Sequence, residues 1–367
     1  MERLYENILK PKSSSPLPLL CFGAYSSVRK AETGEAMMQR LFALVLAFGG
    51  FSVAEEHKPS VNPNIHLANI IRGLDDDPND PLPDGRRALS EIAITEGIPQ
   101  DQVDQIRQST GGVFCPGRDA ASTEQGSAAL AGSDDQVIIS RHVYEAVIQK
   151  QGVDGLSRCL FQNQEKDCKI ANLDFSSPGK FIVGDPTDIR NDFVVVKLKP
   201  PTTVNPCTKL KSLAGVNPFR GVIPLAFARR ADGVSALALS IGADGKAVPQ
   251  KIIKISAREA NTRYKITNTE PTATACYARS VYPSDGNHPS VIQSDCDASP
   301  GGSGGVNLVW SWAGSQRRLV IAGFTERAAN PEKDGQAYSK DTYTYSVGAD
   351  GALMRAIRKL AEQRSPE

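Results

Sequence analysis

Downstream of residue 110, short apolar runs recur along the chain, bounded by Gly, Pro, Asn or Asp. They are Val137–Ser140, Lys180–Gly184, Phe193–Leu198, Val222–Ala228, Ala236–Ile241, Lys251–Ser256, Leu308–Trp312 and Arg318–Phe324. Many short β-branched runs separated by turn signals predict an all-β sandwich or barrel. Long helices alternating with strands are missing from the pattern, which disfavours a parallel βαβ sheet. Two helices are legible. Pro99–Gln108 has proline and acids near its start, and Ala352–Gln363 repeats Leu353, Ile357 and Leu360 at helical spacing behind Asp350 and Gly351.

The N-terminal part reads differently. Residues 38–54 are M-Q-R-L-F-A-L-V-L-A-F-G-G-F-S-V-A, with Arg40 as basic flank, Leu41–Phe51 as apolar run and Ser52-Val53-Ala54 as a small-residue cleavage site. The run falls short of the roughly 20 residues a membrane span needs. It therefore predicts export, cleavage after Ala54 and no stable membrane insertion afterwards. Residues 1–54 are taken as an upstream segment plus signal peptide, with Met37 or Met38 as the natural start. Residues 55–108 are polar and turn-rich. Their stretch Asp75–Arg87, D-D-D-P-N-D-P-L-P-D-G-R-R, cannot form a long helix or a central strand. They are expected to be an N-terminal extension or propeptide, and residues 109–367 the functional domain.

Composition narrows the class. The chain has 367 residues, 40% of them hydrophobic, enough for one large or two small domains. Its formal net charge of +1 argues against nucleic acid as a partner. Of seven cysteines, six follow residue 54, an even number suited to three disulfides in an oxidising compartment, periplasmic or extracellular. No C-x-x-C pair is present, so neither a structural zinc nor any other metal or cofactor is expected.

Candidate chemistry centres on Ser294–Gly305, S-D-C-D-A-S-P-G-G-S-G-G. Glycines around Ser303 leave room for a ligand backbone and can turn successive N–H groups toward a developing negative charge. A flexible linker would have the same composition. A phosphate-binding loop would need a following Lys and a βα context, and has neither. Of the four histidines, His57 and His66 lie in the polar extension and His288 in a turn-like D-G-N-H-P-S. His142 follows the apolar run V-I-I-S and is expected at a strand end, on a rim between core and cleft. Asp192 opens the strongly apolar N-D-F-V-V-V-K-L. Buried there, it needs a hydrogen-bond partner to stay ionised, and an imidazole N–H would serve.

The order His142, Asp192, Ser303, in the settings V-I-I-S-R-H-V, N-D-F-V-V-V-K-L and C-D-A-S-P-G-G-S-G-G, resembles the trypsin/chymotrypsin-like serine protease superfamily. Cys296 and Asp297, seven and six positions before Ser303, bring the resemblance nearest to the bacterial glutamyl endopeptidase-like branch. The resemblance implies two six-stranded antiparallel β-barrels with a C-terminal helix. It implies a serine endopeptidase acting on polypeptides through His142, Asp192 and Ser303, with the N–H groups of Gly301 and Ser303 as oxyanion hole. It also implies disulfides Cys115–Cys207, Cys159–Cys168 and Cys276–Cys296. The alternative is a catalytically inactive barrel of the same fold acting as a binding module.

The chain departs from the family at two places. Gly302 stands before the serine where many animal members have aspartate, and Arg107 is followed by Q-S-T-G-G-V-F rather than Ile-Val-Gly-Gly. The activation switch of those members is therefore missing, and trimming near Arg86-Arg87 is the candidate route. Asp297 and Thr325 are the candidate specificity residues. Asp297 at a pocket base would select Arg or Lys, although relatives of other specificity share it. Thr325 stands where glutamate-selective relatives have histidine, which counts against glutamate selectivity.

Overall fold

The structure is a computed structural model that describes residues 71–72, 85–119, 122–164, 169–200, 217–228, 237, 243, 246–257, 270–298, 301–313, 315–328, 336–339 and 341–363. These residues belong to one compact unit, Val61–Glu367. The expected signal peptide, most of the extension before residue 85, most of the run Ala236–Ile241, and Cys168 and Cys207 lie outside the described residues.

In chain order the elements begin with β1 (Ile71–Arg72), β2 (Arg87–Ala88), α1 (Leu89–Glu96), α2 (Gln100–Ser109), β3 (Thr110–Cys115), β4 (Glu124–Leu130) and β5 (Gln136–Ile139). Then come α3 (Arg141–Gln151), β6 (Leu160–Asn163), β7 (Ile170–Leu173), β8 (Phe181–Val183) and β9 (Val194–Lys199). The second half holds β10 (Gln250–Ser256), β11 (Thr272–Tyr282), β12 (Val291–Ser294), β13 (Val306–Ala313), β14 (Gln316–Ala328), β15 (Gln336–Ala337), β16 (Thr344–Gly348) and α4 (Gly351–Glu362). Strands β5-β4-β3-β6-β7-β9 form one sheet that closes through β5–β9, and β10-β13-β14-β16-β12-β11 form another that closes through β10–β11. The result is two closed six-stranded antiparallel barrels, the chymotrypsin-like fold implied by the sequence, with β8 beside β9, β2 beside β11, and α4 at the C-terminal end.

Continuous apolar runs mark the strands buried on both faces. In β9, Val194 and Val196 point into the core of the first barrel with Val137, Ile139, Phe161 and Leu173. Val195 and the preceding Phe193 point the other way, into a second cluster that also takes Ile253, Ile255, Ile321, Phe324 and Val347 from the other barrel. β5, paired with β9 at Ile138↔Val195, divides its side chains in the same manner. Strands β5 and β9 are thus the wall on which the two halves meet, and the segments carrying His142 and Asp192 adjoin that wall. The amphipathic α4 adds Leu353, Ile357 and Leu360 to the same cluster. Each such side chain, fully buried, contributes about 1.5–3 kcal/mol.

Helices α1 and α3 carry no strong pattern in the sequence. α1 buries Leu89, Ile92 and Ala93, and α2 buries Val103 and Ile106, all in the shared cluster. Gly97 ends α1 with φ of 64°, a left-handed cap that a side chain would strain. The expected strand Val222–Ala228 forms only a bridge, Phe227↔Ile321.

Two expected disulfides are corrected. Cys115 joins Cys159, with Cα atoms 4.1 Å apart, in place of Cys115–Cys207 and Cys159–Cys168. Strand register explains the pairing. β3 and β6 align Phe114 with Leu160, so Cys115 and Cys159 fall opposite each other one step further on. Cys276 joins Cys296, two steps beyond the Ala278↔Ser294 pair of β11 and β12.

Because Leu89 is wholly buried, Leu89→Ala is expected to destabilise the protein by about 2–5 kcal/mol in urea titration. A loss of about 0.5 kcal/mol or less, typical of surface positions, would show that α1 is a separable arm.

Candidate active site

β5 ends at Ile139, and His142 is the second residue of α3, in the first turn. It lies just past the strand, where the sequence places it, but on a helix. The first N–H groups of a helix lack intrahelical acceptors, and one of them finds an acceptor here. The His142 backbone N–H donates to Asp192 Oδ1 at 2.9 Å, and the ring Nδ1 meets Oδ2 of the same carboxylate at 2.9 Å. Asp192 follows a one-turn 3-10 helix, Ile189–Asn191, whose cap Asp188 accepts the Arg190 N–H. Only 3% of Asp192 is exposed. Burial pushes its carboxyl up, and the hydrogen bonds and charge of His142 outweigh that, holding it below the usual carboxylate range.

Ser303 Oγ lies 2.9 Å from His142 Nε2 and 2.8 Å from the Glu326 carbonyl oxygen. The serine loop belongs to the second barrel but is gripped by the first. The Ser127 N–H on β4 donates to the Ser303 carbonyl at 2.7 Å, and its hydroxyl donates to the Gly301 carbonyl at 2.8 Å. Gly304 makes this approach possible. Its φ is 86°, and a Cβ there would sit 2.0 Å from the Ser127 carbonyl oxygen. Among the described residues the N–H groups of Gly301 and Ser303 have no hydrogen-bond acceptor.

The structure thus brings His142, Asp192 and Ser303 into one hydrogen-bonded line and sets Gly301 beside them. Asp297 and Thr325 are engaged inside the protein. Asp297 Oδ2 accepts the Gly85 N–H at 2.7 Å, and Thr325 Oγ1 donates to Asn307 Oδ1 at 3.1 Å. Arg86, next to Gly85, is 1% exposed, so the Arg86–Arg87 peptide bond is out of reach while this segment stays docked. His288 is held by carboxylates, Nδ1 at 2.8 Å from Asp285 and Nε2 at 3.4 Å from Asp188. With Arg190 bonded to both acids, it fastens the turn that carries Asp192.

Sequence reasoning missed Glu326. The register shift between Thr325 and Arg327 makes it the extra residue of a β-bulge, a device that re-aims a side chain. Its carboxyl is buried, with Oε2 3.9 Å from His142 Nδ1. An acid at the end of the apolar run R-L-V-I-A-G-F was the available signal, the same one that singles out Asp192. His142, Asp192 and Glu326 converge within 4.8 Å, a spacing compatible with a metal ion. The facing atoms of His142 and Asp192, however, are taken up with each other.

No family model matches the chain, and no curated protein does. Among solved structures it is similar to the scabies mite inactivated protease paralogue S-I1, with a TM-score of 0.41, 10% identity, and coverage of 72% of this chain and 98% of that one.

The sign of the Asp192 contribution follows from its lowered pKa. The folded state binds this proton less readily than the unfolded one, so the stabilisation is present above the ordinary value and lost as pH falls through the folded one. The stability gap between wild type and Asp192→Asn is expected to be widest near neutrality and to narrow below about pH 4, read from urea midpoints across a pH series. A gap that is constant with pH would remove the charged pair from the account.

Proposed function

We propose that the chain is an exported serine endopeptidase that hydrolyses peptide bonds through an acyl-enzyme. The observation that carries this reading is the continuous contact from Ser303 Oγ to His142 Nε2 and from Nδ1 to Asp192, each at 2.9 Å. With Nδ1–H donating to Asp192, Nε2 is left as the acceptor for the serine proton. Ser303 Oγ attacks the substrate carbonyl carbon while His142 takes its proton. The tetrahedral oxyanion is held by the N–H groups of Gly301 and Ser303. His142 then protonates the leaving amine, and water repeats the cycle on the acyl-serine. No metal or cofactor enters this chemistry. Export is supported by the signal-like residues 38–54 and by the disulfides Cys115–Cys159 and Cys276–Cys296.

The C-D-A-S-P-G-G-S-G-G loop favours the bacterial glutamyl endopeptidase-like branch, whereas Thr325 argues against glutamate selectivity. Asp297, a candidate for selecting Arg or Lys, has its Oδ2 on the Gly85 N–H.

A fluorophosphonate probe is expected to label the mature protein and not Ser303→Ala. Ser303→Ala and His142→Ala are each expected to lower casein hydrolysis by about 10³-fold or more. Mass spectrometry of the fragments reads the specificity. A folded, processed wild type that takes no label would replace the enzyme with a silent barrel acting as a binding module.

A further inference from the structure

One side chain beside the site has no part in the acyl-transfer chemistry. Glu326 is 1% exposed, and its Oε2 has no hydrogen-bond partner. The buried Ser140 hydroxyl and Tyr345 hydroxyl are also without partners. Asp192, within 4.8 Å, has both oxygens bonded to His142 and is thereby held as the charged member. Two buried carboxyl groups this close do not both ionise, and the proton goes to the one with the weaker compensation.

We propose that Glu326 is a positioning residue that remains protonated in the working enzyme, its O–H facing the His142–Asp192 pair so that the cluster carries one negative charge instead of two. The inference rests on the serine-protease reading of the site. Burial is the main force keeping the proton on Glu326, and the Asp192 charge adds to it. Ser140, Arg327 and Arg141 pull the other way. From β16, Tyr345 faces the group as a neutral phenol, pushed up first by burial and then by Glu326 and Asp192.

The neutral form matters because of what the charged form would do. An ionised Oε2 at 3.9 Å would offer Nδ1–H a second acceptor and let the imidazole turn off the Ser303 line. It would also repel Asp192 and strain the bulge whose carbonyl oxygen meets Ser303 Oγ at 2.8 Å.

The first test needs no activity. In a Ser303→Ala background, urea midpoints are compared with and without Glu326→Gln across a pH series. A carboxyl with a raised folded pKa stabilises the fold below its ordinary value and loses that contribution as pH rises through the folded one. The Gln variant is therefore expected to gain on its parent as pH rises. A Gln variant that loses ground with rising pH would mean that Glu326 is ionised in the fold, and would overturn the proposal.

The second test uses the active protein. Glu326→Ala is expected to lower kcat by about 100-fold with little change in KM, the effect of a misplaced reacting group. Glu326→Gln should recover most of the loss and remove the alkaline limb of the kcat/KM profile. A Gln variant as impaired as the Ala variant at every pH, or one that keeps the parent's alkaline limb, would also overturn it. If the parent neither takes the fluorophosphonate label nor cleaves casein, the protease reading fails on its own, and the stability series still decides the protonation of Glu326.

Discussion

The Asp192 carboxylate, out of contact with water and bonded twice by His142, is the interaction on which the site depends. A lone buried carboxylate would carry a large desolvation penalty or take up a proton. Here one donor is a helix-terminal N–H that would otherwise lack a partner, and the other is the ring that also meets Ser303. One contact therefore satisfies α3, keeps Asp192 charged and fixes the imidazole. The Asp188, Arg190, Asp285 and His288 cluster holds the turn behind it. That cluster is partly exposed to solvent, so its contribution is to geometry more than to stability.

The barrels supply what a local motif cannot. His142 and Asp192 follow and precede strands of the first barrel, and Ser303 comes from the second. A separation set by side chains alone would vary with every rotamer. Instead, Ser127 on β4 grips the serine loop through its amide and its hydroxyl, and accepts the Ala257 N–H from the end of β10. Ser303 is thus referred to the same sheet that precedes His142. Gly304 permits that grip, because any side chain there would meet the Ser127 carbonyl.

Much of this was legible in the sequence because burial on both faces leaves a simple trace. V-I-I and F-V-V-V are unbroken apolar runs, and the polar residues close to their ends, His142 and Asp192, stand out against them. Ser303 is marked by its glycines. The family resemblance supplied Cys276–Cys296, but Cys115–Cys159 was illegible because six cysteines allow many pairings and only the β3–β6 register selects it. Helix α3 was hidden because its buried apolar positions, Val143 and Val147, are few and β-branched. Glu326 was hidden by its bulge. A reading of strand alternation cannot show that a backbone will insert one residue and turn an acid inward.

The Ser303 hydroxyl has one proton and two acceptors, His142 Nε2 at 2.9 Å and the Glu326 carbonyl at 2.8 Å. When Nε2 is unprotonated, donation toward the imidazole begins the transfer that the proposed chemistry requires. When the imidazole is protonated, Nε2–H becomes a donor to Oγ, and the hydroxyl turns its own proton to the carbonyl. Both arrangements keep the hydroxyl hydrogen-bonded, so in the proposed enzyme the serine has a partner in either state of the imidazole. Residue 326 borders both ends of the line, its backbone carbonyl beside the serine hydroxyl and its carboxyl beside the His142–Asp192 pair. The same bulge determines both placements, that of the carbonyl that meets Ser303 Oγ and that of the carboxyl beside His142.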